Sequence, residues 1–205
     1  ERVLNWTGVR APEILDEFES WVEDRPISLF NGRDLSGWRV QDPSRRGSWS
    51  AANGVLRNDP AASDIATEQK FWNFKLHAEY RLTPHTNAGF GLRGRYEVQI
   101  LEDYGRPPSN KGHGALYSRI QPTQNASKAA GEWQAIDITL IGRRVDVVLN
   151  GVKIIDGQEI EGFTAIATDA NEADPGPLTI QGDHGSVEYR NLTITPLKKQ
   201  GRSSD

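Results

Sequence analysis

Phe74-Lys75-Leu76-His77-Ala78-Glu79-Tyr80-Arg81-Leu82 alternates apolar and polar side chains without a break for nine residues. A period of two sends successive side chains to opposite faces of an extended chain, so this stretch predicts a half-buried β-strand. The same alternation recurs in Tyr96-Glu97-Val98-Gln99-Ile100 and in Ile136-Asp137-Ile138-Thr139-Leu140. Val145-Asp146-Val147-Val148-Leu149 is followed by Asn150-Gly151 and then Val152-Lys153-Ile154-Ile155. Two runs joined by Asn-Gly predict a tight hairpin, because those two residues tolerate the left-handed backbone that such a turn requires. Leu178-Thr179-Ile180-Gln181 and Leu192-Thr193-Ile194 complete the set, with turn-forming residues between the runs. Many short alternating strands without a helix–strand rhythm read as an all-β fold, an antiparallel β-sandwich.

Outward from these strands, the chain divides into an N-terminal extension over residues 1–26, a strand-rich body over 27–197 and a tail over 198–205. Ile14, Leu15, Phe18, Trp21 and Val22 fall at helical spacing after Pro12, so residues 12–22 predict a short amphipathic helix docked on the body. Residues 156–177, rich in Gly, Asp, Glu and Ala, predict a long surface excursion. No internal repeat is evident.

The chain has 205 residues, a length suited to one domain. Lys and Arg number 24 against 28 Asp and Glu, and the −4 balance argues against nucleic acid or an anionic membrane as partner. Residues 1–26 alone carry that −4, which leaves a neutral body and makes a neutral substrate the easier one to accommodate. Mean hydropathy of −0.62 and the lack of a long apolar run exclude a transmembrane helix. The absence of Cys excludes disulfides, thiolate metal sites and thiol catalysis. Glu1 opens no signal-like stretch, so an export signal is expected to have been removed or never present, and the expected location is periplasmic or secreted.

Parity also marks a candidate site. Leu92, Val98 and Ile100 share the apolar parity, while Arg93, Arg95, Glu97, Gln99 and Asp103 share the opposite one. Such a row can be a solvated face with cross-strand ion pairs. Its composition, however, suits planar polar recognition more than the Thr, Lys and Ser usual on solvated strands. His77, Glu79 and Arg81 hold the polar parity of a second strand, predicted to lie beside the first and pool one concave floor. His184, in Gln181-Gly182-Asp183-His184-Gly185, is expected on a rim because the flanking glycines allow close backbone approach. No His-x-His, HExxH, GxSxG, phosphate-loop or calcium-loop pattern occurs. No cofactor is demanded, and a divalent metal would require Glu97, Asp183 and His184 to meet in space.

Several blocks resemble the bacterial 3-keto-disaccharide hydrolase family. They begin with Leu29-Phe30-Asn31-Gly32-Arg33-Asp34-Leu35-Ser36-Gly37-Trp38. They continue through Trp72-Asn73-Phe74-Lys75-Leu76, Asn87-Ala88-Gly89-Phe90 and Arg93-Gly94-Arg95-Tyr96-Glu97-Val98-Gln99-Ile100-Leu101. Gly131-Glu132-Trp133, Asn150-Gly151-Val152, Gly176-Pro177-Leu178, Gln181-Gly182-Asp183-His184 and Val187-Glu188-Tyr189-Arg190-Asn191-Leu192 follow in family order. Ala88 stands where Ser is usual, and Glu102-Asp103 where a single Asp is typical. The resemblance implies a concanavalin A-like jelly roll and cleavage of 3-keto-glycosides, by a 1,2-lyase step paired with hydration or as net hydrolysis. A C3 ketone acidifies the C2 hydrogen, so a base can form an enediolate that expels the C1 substituent.

Glu97 and His184 are the candidate bases, with His184 otherwise the acid for the leaving oxygen, and Arg93 the candidate donor to the enediolate. Arg95, Gln99, Asp103, Glu79, Tyr117, Trp133, Gln181 and Arg190 are the candidate substrate contacts. A carboxylate between two arginines would be a weak base, unless the guanidinium groups face the substrate instead. The competing readings are a two-carboxylate glycosidase pairing Glu97 with Glu79 or Asp103, a lectin-like sugar-binding module without a base, and a purely structural module.

Overall fold

The computed structural model describes residues 20–200, and every regular element among them is a β-strand. In chain order these are β1 (Trp21–Glu23), β2 (Ile27–Ser28), β3 (Trp38–Val40), β4 (Trp49–Ala52) and β5 (Val55–Asn58). Next come β6 (Ile65–Phe71), β7 (Phe74–Leu82), β8 (Asn87–Leu92), β9 (Tyr96–Leu101) and β10 (Gln134–Ile141). The last are β11 (Arg144–Leu149), β12 (Val152–Glu159), β13 (Gly176–Ile180) and β14 (Val187–Lys199). Nine form a large antiparallel sheet in the order β12-β11-β10-β7-β14-β5-β4, with β1 and β2 also paired to β14. Five form a smaller one in the order β3-β6-β13-β8-β9. The chain is an all-β jelly-roll sandwich.

The alternation that predicts the strands also builds the core. In β7 the side chains of Phe74, Leu76, Ala78, Tyr80 and Leu82 are buried, while His77, Glu79 and Arg81 are partly open to solvent. Ile136, Ile138 and Leu140 of β10 meet them from the same sheet, and Phe90, Val98, Ile100, Leu178 and Ile180 from the other, in one continuous cluster. Each such side chain contributes about 1.5–3 kcal/mol by leaving water. Asn150 (φ 52°) and Gly151 (φ 81°) take the left-handed backbone that closes the β11–β12 hairpin.

Three expectations change. Residues 12–19 of the expected helix lie outside the described residues, and its end, Trp21 and Val22, is strand: β1 pairs in the register Trp21↔Lys199. The sandwich thus reaches past the expected bounds at 27 and 197, because β1, β2 and β5 succeed one another along one edge of β14 and satisfy its backbone groups. The segment after β12 is not a free excursion. It folds back on the β8–β9 hairpin through Thr164 N to Arg95 O (3.1 Å), Thr168 N to Gly94 O (2.9 Å) and Tyr96 Oη to Glu172 Oε1 (2.7 Å). Lastly, β7 is no neighbour of β9: it lies in the large sheet between β10 and β14, while β9 is an outer strand of the small one. His77, Glu79 and Arg81 therefore face away from the outer surface of β9, on the opposite side of the sandwich.

Candidate active site

The outer face of the small sheet carries a polar floor whose rows follow from strand register. Gly91 stands opposite Glu97 and Gly89 opposite Gln99. Thr179 pairs with Gly91 and with Ala66, so the next row outward runs Gln99, Gly89, Gln181, Asp64. Backbone bonds agree: Gln181 N donates to Gly89 O (3.0 Å), and Gly182 N donates to Asp64 Oδ1 (3.0 Å). On the other flank of β9, Val98 bridges Leu116, and Tyr117 N donates to Glu97 O (2.9 Å). That bond sets the Tyr117 backbone beside Glu97 along the outer edge of β9.

Glu97 is held from several sides. Its N–H donates to Thr164 Oγ1 (2.8 Å), and its side chain lies over Gly89, where an added Cβ would come within 2.8 Å of Oε1 and 2.9 Å of Cγ. The missing side chain at Gly89 is the space that the carboxyl fills. With its amide turned so that the nitrogen faces these acceptors, Gln99 would donate to Ala88 O (3.1 Å) and to Glu97 Oε1 (3.2 Å). Glu97 is 3% exposed. Burial, with the Asp64 charge adding to it and His184 opposing, pushes its carboxyl up to about 7. Asp64 is itself raised, chiefly by burial. A carboxyl poised near neutrality is matched to taking and returning a proton.

His184 stands at the edge of this floor in the turn after β13. Its Nδ1 is hydrogen-bonded to Asp183 Oδ1, and Asp183 Oδ2 accepts from Arg45 Nη2 (3.2 Å). A carboxylate on Nδ1 favours the proton there, which leaves Nε2 of the half-exposed ring to exchange a proton with a ligand. Glu97, Asp64, Asp183 and His184 thus form one electrostatic group.

Glu97, Gln99, Tyr117, Gln181 and His184 lie on or beside this outer face, and six candidates lie elsewhere. Arg93 (φ 53°) and Gly94 (φ 66°) form the β8–β9 turn, which breaks the alternation and carries Arg93 out of the row. Its Nε donates to Trp72 O (2.7 Å), its Nη2 donates to Asn73 Oδ1 (2.9 Å), and the guanidinium lies 3.7 Å over the Trp72 ring. Arg95, in the same turn, donates to Asp169 Oδ1 (2.7 Å) and Asp174 O (2.8 Å), which pins the 160–175 segment. Asp103 lies past the end of β9 and accepts from His113 N and Asn125 Nδ2, both at 3.0 Å. Glu79, Trp133 and Arg190 form a separate cluster on the large sheet. There Glu79 accepts from Arg190 Nε (2.7 Å) and Asn191 Nδ2 (2.7 Å), while the Arg190 guanidinium lies 3.9 Å from the Trp133 ring centroid.

The sequence reading missed Asp64, whose only signal was its place just before the buried strand residue Ile65. Glu97, Asp183 and His184 do not supply a cation site: among the described residues, no group of three or more His, Asp or Glu side chains is arranged to hold a metal ion.

Comparison with known proteins gives a consistent match. The family model described as 3-keto-alpha-glucoside-1,2-lyase-like domain matches residues 25–195. A curated relative from Bacteroides thetaiotaomicron, named 3-keto-disaccharide hydrolase, is 22% identical over 56% of this chain and 52% of its own length. The chain thus spans about half the length of that relative. A crystal structure from Parabacteroides distasonis, provisionally assigned as a glycosyl hydrolase, is 28% identical with a TM-score of 0.70 over 82% of both chains. The carbohydrate-binding module CBM66 of Bacillus subtilis shares the fold at 11% identity, with a TM-score of 0.56 over 80% of this chain and 96% of that one.

Proposed function

This chain belongs to the 3-keto-alpha-glucoside-1,2-lyase-like family, and we propose that it cleaves the glycosidic bond of 3-keto-glycosides by C2 proton abstraction, elimination and rehydration. The observation that carries this reading is a buried carboxyl, Glu97, raised to about 7 among polar side chains on the outer face of the small sheet. A displacement glycosidase needs an ionised nucleophile or base opposite an acid. A proton shuttle at a ketone-acidified carbon needs one group near neutrality that gives back what it takes.

In this mechanism Glu97 takes the C2 proton and electron density moves into the C3 oxygen. Gln181, in the row beside the carboxyl, and Tyr117, its neighbour across β9, are the donors to that oxyanion. They replace the arginines, whose hydrogen bonds are committed elsewhere. The enediolate expels the C1 oxygen, which takes the Nε2 proton of the doubly protonated His184 ring. Water then adds at C1 and gives its proton to His184 Nε2, while protonated Glu97 returns its proton to C2, giving net hydrolysis with Glu97 and His184 restored. A periplasmic or secreted location belongs to the same proposal, as does a neutral sugar partner.

The test is to incubate the protein with 3-keto-trehalose or a 3-keto-glucoside, in parallel with the unoxidised sugar. The proposal expects loss of the keto substrate alone, and slower loss when C2 carries deuterium. Glu97→Gln should lower the rate by about 10²–10⁴ with binding retained. Hydrolysis of the unoxidised sugar would instead favour a two-carboxylate reaction, for which Asp64 is the partner charge-coupled to Glu97. Binding without turnover would leave a sugar-binding module.

A further inference from the structure

Asn58 is the last residue of β5 and points inward, at the parity of the buried Leu56, yet it carries a polar amide and is 0% exposed. Its bonds account for this placement. Nδ2 donates to Gly182 O (2.8 Å) and Gly185 O (2.7 Å), with Asp59 O also 3.0 Å away, while Oδ1 accepts from Val187 N (2.9 Å). Its backbone oxygen accepts from Ser186 Oγ (2.7 Å). One side chain from the large sheet therefore grips both feet of the turn that bears His184, where the chain passes from β13 of the small sheet to β14. The turn has little slack elsewhere. A Cβ at Gly182 would lie 2.5 Å from Ser63 O, and one at Gly185 (φ 141°) would lie 2.9 Å from three Thr86 atoms. His184 itself is half exposed, and its ring touches only Asp183 among the hydrogen bonds described above.

We infer that Asn58 is a positioning residue that fixes His184 through the Gly182–Gly185 turn, setting where Nε2 stands over the polar floor. The inference rests on the reading of His184 as the acid–base partner of Glu97. An amide is the group that fits. It supplies donors to the carbonyls and an acceptor to Val187 N–H, whereas a carboxylate would set oxygen against two carbonyl oxygens and an alkyl side chain would satisfy none of them.

The test is a double-mutant cycle between Asn58→Ser and His184→Asn, with the ring resonances of the four histidines followed by NMR and His184 assigned from its absence in the His184→Asn protein. A reacting group displaced by about 1 Å can lose on the order of 10²-fold in rate. The expected result for Asn58→Ser is thus a kcat lower by about 10²-fold, a smaller change in KM, and moved His184 ring resonances. In the His184→Asn background the same substitution should cost less than about threefold. Equal losses in both backgrounds, or unmoved His184 resonances, would overturn the inference and leave Asn58 a purely structural residue. Should Asn58→Ser fail to fold, Gly185→Ala strains the same turn from its other foot and must show the same resonance shift and the same non-additivity. Full activity of His184→Asn would count against the proposed reaction alone, since the resonance shift reports the positioning independently.

Discussion

Glu97 is an acid whose environment opposes its ionisation, and that opposition has a price in stability that can be measured. Its folded-state pKa of about 7 lies above the ordinary value of 4.5, so the folded protein binds this proton more tightly than the unfolded chain does. The resulting stabilisation is complete below pH 4.5 and is lost as pH rises through about 7. Glu97→Gln removes the titration and the repulsion with Asp64. At pH 8 the variant should be more stable than the parent, by at most on the order of 3 kcal/mol. The gain should vanish at pH 4, which urea unfolding at the two pH values will show. A variant that loses the reaction while gaining stability is the mark of a group held for chemistry. A flat difference between pH 4 and pH 8 would place the raised pKa elsewhere. The identity and face of Glu97 were legible from alternation, but its basicity was not. Sequence proximity to Arg93 and Arg95 suggested a lowered pKa, whereas the turn sends both guanidinium groups to Trp72, Asn73 and Asp169. Neighbours in sequence across a turn are not neighbours in field.

Among the elements, β8 is shaped by what it lacks. Its outward positions are Asn87, Gly89 and Gly91; the missing side chain at Gly89 gives the Glu97 carboxyl its place, while the space at Gly91 is taken by Thr179 and Ile166. Gly89→Ala puts a methyl group 2.8 Å from Glu97 Oε1, closer than real Cβ contacts allow, so the carboxyl must move. Overpacking of this kind costs about 1–3 kcal/mol, which this sandwich should survive. The expected outcome is a folded protein with activity reduced by about 10²-fold, since a displaced base loses its alignment with the reacting carbon. Unchanged turnover with a normal melting curve would show that Glu97 does not act from this position. Strand identity was readable here because core side chains repeat every second residue, and the Asn150-Gly151 turn was readable because its backbone demands those residues. The stretch from Asn31 to Trp38, the opening block of the family resemblance, proves to be a structural knot. Asn31 Oδ1 accepts from Arg33 N (2.8 Å) and Asp34 N (3.0 Å), and Trp38 Nε1 donates to Leu29 O (2.6 Å). A recognisable motif can therefore mark the fold without touching the site.

At the scale of the whole molecule, pairing decides which polar clusters can cooperate, and pairing was the part that alternation could not supply. A strand's own sequence states which residues share a face but says little about which strand lies alongside, since that depends on contacts between segments far apart in the chain. Thirteen residues separate the end of β7 from the start of β9, yet the two belong to different sheets, because the chain crosses between β7 and β8. The result is a sandwich with a polar cluster on each outer face: Glu97, Gln99, Gln181 and His184 on the small sheet, and Glu79, Arg81, Trp133 and Arg190 on the large one. The second has the signs of a self-satisfied surface. Glu79 is doubly hydrogen-bonded and its carboxyl is held below the usual range, first by Asn191 and also by Arg190, while Arg81 pairs with Glu188 (2.5 Å). Ion pairs this exposed contribute little to stability, about 0–1 kcal/mol. Trp133→Ala and Arg190→Ala should therefore leave kcat/KM on a 3-keto-glucoside within about threefold of the parent, against the 10²–10⁴-fold loss expected for Glu97→Gln. Steady-state kinetics on the three variants at one pH decides between the faces. If the large-sheet variants lose activity and Glu97→Gln keeps it, the reaction belongs to the Trp133 face, and the small sheet is the scaffold behind it.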